Sequence, residues 1–215
     1  MVGYLSIHLN NMKVTTMSMF KWFASSLFIL FALSTAIAQP RLLKVNTEKS
    51  TINWVGKKIL GQHEGVLKLS DGNVVMNNEI LGGGEFVIDM TSIVCTDISD
   101  EDMKAKLIGH LKSDDFFSVE KNPTATLKIT KVLKLIDQPT GSYEVTADLT
   151  IKGITQSIEF PVDVVNKGKY YTANAKITID RSKWDVRYGS TSFFDNLGDK
   201  AIKNEIEFVV MLQFS

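Results

Sequence analysis

Apolar and polar residues alternate with a period of two along most of this chain, the pattern of strands with one face on a core and one in water. Residues 142–152 set Tyr143, Val145, Ala147, Leu149 and Ile151 on one face, against Glu144, Thr146, Asp148, Thr150 and Lys152. Residues 154–164 repeat the pattern with Ile154, Ile158, Phe160, Val162 and Val164. Lys152-Gly153 between them predicts a tight hairpin. Residues 170–180 alternate through Tyr171, Ala173, Ala175, Ile177 and Ile179, and residues 203–213 through Ile206, Phe208, Val210 and Leu212. Residues 124–132 carry Ala125, Leu127 and Ile129 inward.

The front half is less regular. Strands are predicted over 51–57 (Ile52, Trp54), 63–70, 73–77 and 85–90 (Phe86, Ile88). Asp71-Gly72 reads as a hairpin turn. Gly82-Gly83-Gly84 reads as a bulge or bend, because no helix follows it to complete a phosphate cradle. The expectation is an all-β fold, roughly eight antiparallel strands with short turns, closed into a barrel that leaves no free edges.

One helix interrupts the strands near residues 100–112. Ser99 is the expected N-cap, with Asp102 three residues on, and Asp100, Glu101 and Asp102 suit the positive end of the helix dipole. Met103, Leu107, His110 and Leu111 share a face, which directs His110 toward the barrel or its rim. Phe116-Phe117 then form an apolar plug, and Asn122-Pro123 closes the corner before the next strand.

Residues 1–38 stand apart as a leader. Lys21, an apolar run over 22–33 and Ala36-Ile37-Ala38 form the three parts of a secretory signal peptide, with cleavage expected near Ala38. The run is too short for a membrane span of about 20 apolar residues. Met1, Met12, Met17 and Met19 all offer starts. The mature part, 39–215, has the length of one domain, and the reading is an exported, periplasmic or secreted protein.

Charge changes the picture only by exclusion. Lysines plus arginines number 24 and acids 24, with no basic stripe, which argues against a nucleic-acid partner. Cys95 is the only cysteine, so no internal disulfide forms, and it reads as a small buried residue. His63, His110 and His8 include no pair at metal-ligand spacing, and no metal or cofactor motif is present. His110 has no serine elbow or cysteine neighbour to serve as a general base, and reads as structural. An outer-membrane barrel is disfavoured because Glu144, Thr146, Asp148, Glu205 and Glu207 occupy the outward faces.

Several ordered motifs resemble the YceI-like family. His110-Leu111-Lys112-Ser113-Asp114-Asp115-Phe116-Phe117 followed by Asn122-Pro123-Thr124-Ala125-Thr126-Leu127 is similar to its central signature. The stretch from Ala147 to Thr155 resembles a second one, usually begun by glycine. Thr91 to Asp97 resembles the strand-to-helix junction, and Ile179 to Trp184 the late segment, where glycine more commonly stands at Asp185. The resemblance covers roughly residues 43–213. It implies an extended eight-stranded, lipocalin-like, polyisoprenoid-binding barrel that is exported, with an isoprenoid lipid or quinone as partner.

On that basis the expected apolar lining is Trp54, Phe86, Ile88, Leu127, Tyr143, Ala147, Leu149, Phe160, Tyr171, Ala173, Ala175 and Phe208. His110, Arg181 and Arg187 are the expected rim residues for a headgroup. A homodimer stays open at this stage. So do two alternatives: an enzyme using His110 with Asp114 or Asp115 on a lipid-like substrate, and a barrel filled by its own side chains.

Overall fold

The computed structural model describes residues 39–137 and 141–215, so the leader expected over 1–38 lies outside the described residues. Among the described residues, nine strands and one α-helix follow in the order β1 (Arg41–Lys44), β2 (Thr51–Lys58), β3 (Gln62–Asn77), β4 (Ile80–Cys95), α1 (Glu101–Lys112), β5 (Thr124–Lys134), β6 (Ser142–Ile151), β7 (Ile154–Asn166), β8 (Tyr171–Asp180) and β9 (Ile202–Phe214). Every pairing is antiparallel, and β3 pairs with β4 to close the ring.

Nine strands make an eight-stranded barrel because β1 and β2 share one place in the wall. Both lie along β3, β1 on its residues 73–76 and β2 on its residues 62–67. On the other side β2 pairs with β9, and the chain after β1 meets the end of β9 through Val45 and Phe214. Lys44 and Ser215 exchange both backbone hydrogen bonds, at 3.0 and 3.1 Å.

The alternation in the sequence becomes the barrel wall directly. On β6, Tyr143, Val145, Ala147, Leu149 and Ile151 are all buried. Lys152 and Gly153 take left-handed backbone (φ 51° and 73°) and turn β6 into β7, as the sequence predicts.

Three local expectations change. Asp71-Gly72 is not a hairpin; β3 runs through it as a 16-residue strand. The register against β4 shifts between Leu69 and Asp71, so Ser70 is the extra residue of a bulge. Gly72 suits this place because a Cβ would lie 3.0 Å from the Phe86 ring and from Val45, a tight contact that would push on both. The real turn is Asn78-Glu79, both left-handed (φ 48° and 66°). The glycine triplet does hold a bulge: Val75 pairs with Gly83 and Met76 with Leu81, leaving Gly82 over.

The helix begins one residue later than expected. Asp100, not Ser99, is the N-cap, and its carboxylate accepts from the Met103 amide at 2.8 Å. Its inner face is also narrower than the spacing suggests. Leu111 is buried and Leu107 half-buried, while Met103 and His110 are exposed.

Helix α1 and the corner after it lie at the end of the barrel where β4 stops and β5 starts, here called the lower end. Phe116 and Phe117 meet edge to face there (4.9 Å between centroids, 74°). Trp184, 1% exposed, donates from Nε1 to the Leu149 carbonyl at 3.0 Å and pins the 3-10 turn Arg181–Trp184 to β6. Asp185 after it is left-handed (φ 57°), which is the physical reason glycine suits that position.

Candidate functional site

The barrel encloses a wholly apolar cavity of about 180 Å³. It runs from Phe116, Phe117 and Ile93 at the lower end to Val74, Leu81 and Phe214 near the upper one. Every strand from β2 to β9 contributes wall residues.

Of the residues expected to line it, Trp54, Phe86, Ile88, Leu127, Leu149, Phe160, Ala173, Ala175 and Phe208 do. Tyr143, Ala147 and Tyr171 are buried but do not reach it. The two tyrosines are spent on closing the upper end. The Tyr143 hydroxyl accepts from the Leu81 amide at 3.3 Å. Tyr171 donates to Glu79, which also accepts from Asn166 Nδ2 at 2.9 Å and faces Arg41 at 3.7 Å. The bond to Glu79 raises the Tyr171 hydroxyl above its ordinary pKa, with burial adding to it. The Tyr171 ring stacks on Phe214, 5.5 Å between centroids. Ala147 is fully buried between Ile129 and Ile158, which line the cavity while it does not.

The three expected rim residues separate. Arg181 is in the cavity wall and only 1% exposed. Its guanidinium donates to the carbonyls of Val186 (2.8 Å), Lys203 (3.2 Å) and Ile202 (3.2 Å), and lies over the Phe116 ring, 5.2 Å from its centroid. Burial lowers its pKa to about 10, partly opposed by Asp180, so it stays charged at neutral pH. Arg187 and His110 lie outside the barrel. Arg187 is exposed, pairs with Asp185 at 2.6 Å and covers Phe193. His110 is exposed and stacks on Tyr188, 5.4 Å between centroids, so of the two directions expected for it, barrel or rim, it does not take the inward one.

The Arg181 bonds mark a break in the wall. Gly56 of β2 pairs with Ile206 of β9, but Lys58 already pairs with Ile202. Lys203, Asn204 and Glu205 therefore face a single residue, Lys57. The Ile202 and Lys203 carbonyls beside this shift accept from Arg181. Half-buried Gly56 and Ile202 and exposed Lys203 carry the cavity surface to this seam. Nothing in the local sequence signals it.

Comparison with known proteins agrees with this geometry. A YceI-like domain matches residues 43–214. The chain belongs to the YceI-like family. A UPF0312 protein of Vibrio parahaemolyticus is 34% identical over 82 residues, 38% of either chain. A UPF0312 protein of Pseudomonas aeruginosa is 37% identical over 59 residues, 27% of this chain and 29% of its own length. The alignments thus span well under half of these curated relatives. Among solved structures, Burkholderia cenocepacia BcnA superposes with a TM-score of 0.63 at 24% identity, covering 79% of this chain and 98% of that one. A polyisoprenoid binding domain from Saccharophagus degradans superposes with a TM-score of 0.58 at 15% identity, covering 80% and 97%. Both likenesses concern the barrel fold of this YceI-like chain.

Among the described residues, no nucleophile and base converge on the cavity, whose exposed surface is apolar. No described helix is long and apolar enough to cross a membrane.

A separate polar cluster sits on the lower rim, outside the cavity. Asp97 Oδ2 lies 2.9 Å from His63 Nδ1, and its Oδ1 accepts from the Cys95 thiol at 3.0 Å and the Glu64 amide at 3.0 Å. Burial alone would raise the Asp97 carboxyl, but the bonds from Cys95, the Glu64 amide and His63 outweigh it and hold it at about 2. Burial, with the bond to Asp97, pushes the Cys95 thiol up. Sequence spacing could not reveal this cluster, because His63 comes from a different strand.

Proposed function

We propose that this YceI-like barrel is an exported carrier that holds an isoprenoid-type lipid, a polyprenyl phosphate or a quinone tail, in its interior. The observation that carries the reading is the cavity: a continuous space with an apolar surface inside the barrel, reaching the wall's one described seam at Gly56 and Lys203. A lining without converging polar groups favours holding a ligand over transforming it. A comparable engineered cavity of about 150 Å³ accepts benzene, so this space takes about one to two isoprene units. The rest of a longer chain would pass out through the β2–β9 seam at Gly56 and Lys203, beside the charged Arg181. The polyisoprenoid binding domain of similar fold supports the ligand class. Export rests on the signal-peptide pattern, with Gln39 as the expected mature N-terminus.

Two measurements test this. Organic extraction of the purified exported protein followed by mass spectrometry should return an isoprenoid. Titration with a farnesyl or quinone analogue should quench Trp54, which lines the cavity, while Trp184 does not. Quenching should persist in Trp184→Phe and vanish in Trp54→Phe. A folded wild-type protein that binds neither analogue would leave only a structural barrel.

A further inference from the structure

The lower rim brings together three metal-ligand side chains of different chemistry. His63 is the second residue of β3, Cys95 the last of β4, and Asp97 follows two residues later. The two strands are neighbours, and Gly65 pairs with Cys95, so residues far apart in the chain meet on one edge. Their ligand atoms all lie within 4.8 Å of one another.

We propose that His63, Cys95 and Asp97 bind one zinc ion. One imidazole, one sulfur and one carboxylate suit a borderline-soft ion, whereas calcium and magnesium call for mostly oxygen donors. Zinc bonds of about 2.0–2.3 Å in a tetrahedron place ligand atoms roughly 3.3–3.6 Å apart. His63 Nδ1 lies 2.9 Å from Asp97 Oδ2 and Cys95 Sγ 3.0 Å from Asp97 Oδ1, and with all ligand atoms within 4.8 Å of one another a small rotation of the side chains brings one oxygen, the nitrogen and the sulfur around a single ion. The ion takes the place of the hydrogens that now bridge these atoms. Binding displaces the Cys95 thiol proton to solvent, and the imidazole hydrogen that bridges His63 Nδ1 to Asp97 moves to Nε2, giving a zinc-bound thiolate, a neutral Nδ1-bound imidazole and one net released proton.

Two features pre-organise the cluster. The Glu64 amide holds the Asp97 carboxylate, a supporting bond of the kind that orients metal ligands. Thr96 is tied to the Glu64 carbonyl at 2.9 Å, which fixes the backbone between the cysteine and the aspartate. The His63 and Asp97 side chains are 28% and 27% exposed, so the fourth coordination position faces water. None of the three residues lines the lipid cavity, so the site is independent of the carrier reading. A bound ion would clamp the start of β3 to the end of β4, just before α1.

The test uses the full mature chain after chelator treatment. Competition against a chromogenic zinc chelator should show one equivalent bound. Cobalt should give a thiolate-to-metal charge-transfer band together with the visible bands of a tetrahedral site. Cys95→Ser should abolish the charge-transfer band and weaken zinc binding at least tenfold; His63→Gln and Asp97→Asn should each weaken it by a similar factor. Zinc should raise the melting temperature of the wild type but not that of Cys95→Ser. If Cys95→Ser folds poorly, the partly exposed His63→Gln carries the same comparison. A folded wild type without the cobalt band, or zinc affinity unchanged in His63→Gln and Asp97→Asn, overturns the proposal.

Discussion

Replacing Ala173 with phenylalanine would set a ring into the cavity from β8. Ala173 sits between Val164 of β7 and Leu212 of β9, and all three line the cavity. The space of about 180 Å³ is only slightly larger than the ~150 Å³ that accepts a benzene molecule, so the new ring would take most of it. A ring of that size displaces about four chain carbons, and at ~0.8 kcal/mol per buried methylene the lost binding is about 3 kcal/mol. That corresponds to about a hundredfold weaker affinity for an isoprenoid probe. The fold should lose about 1 kcal/mol or less, at the low end of overpacking, because the ring enters space that already exists. Ala147 supplies the contrast. It is fully buried but does not line the cavity, so Ala147→Leu overpacks the wall and should cost about 2–3 kcal/mol. Its affinity per folded molecule should change little. Kd from titration with a fluorescent farnesyl analogue, paired with urea unfolding of ligand-free protein, reads both quantities. Equal affinity in wild type and a well-folded Ala173→Phe, or equal destabilisation by the two substitutions, would refute the reasoning.

Other substitutions test how the wall is built. At Gly65, opposite Trp54 on β2, an added Cβ would lie 1.8 Å from the Val94 carbonyl oxygen and 2.8 Å from the Trp54 ring; Gly65→Ala should therefore cost about 3 kcal/mol or more in urea unfolding. Asp100→Ala should lose about 1 kcal/mol by removing the cap of α1, while Ser99→Ala should change stability by only a few tenths, a difference readable from melting curves. Arg181→Met should cost about 2–4 kcal/mol by leaving carbonyls of Val186, Ile202 and Lys203 unpaired, and Arg181→Lys should recover less than half of that because an ammonium lacks the planar fork. Full recovery in the lysine variant would mean that charge alone matters there.

Much of this protein was legible in its residues. Strict alternation over 142–180 and 203–213 determined which side chains face inward, because a strand has no other periodicity to offer. Lys152-Gly153 announced its own turn, since left-handed backbone there favours glycine. The same local chemistry misled at Asp71-Gly72, where the pair serves a bulge inside a long strand and Gly72 makes room for Phe86 and Val45. Alternation could not separate Ala173 from Ala147, or Tyr171 from Phe208: all point inward, and only three-dimensional packing decides which of them borders open space. His110 followed the helical period on paper, yet only docking of α1 decides which stripe meets the barrel. The β2–β9 seam and the His63–Cys95–Asp97 cluster are products of register between strands distant in sequence. Inward or outward is a property of a strand taken alone. What stands opposite, and how much room lies between, belongs to the closed barrel.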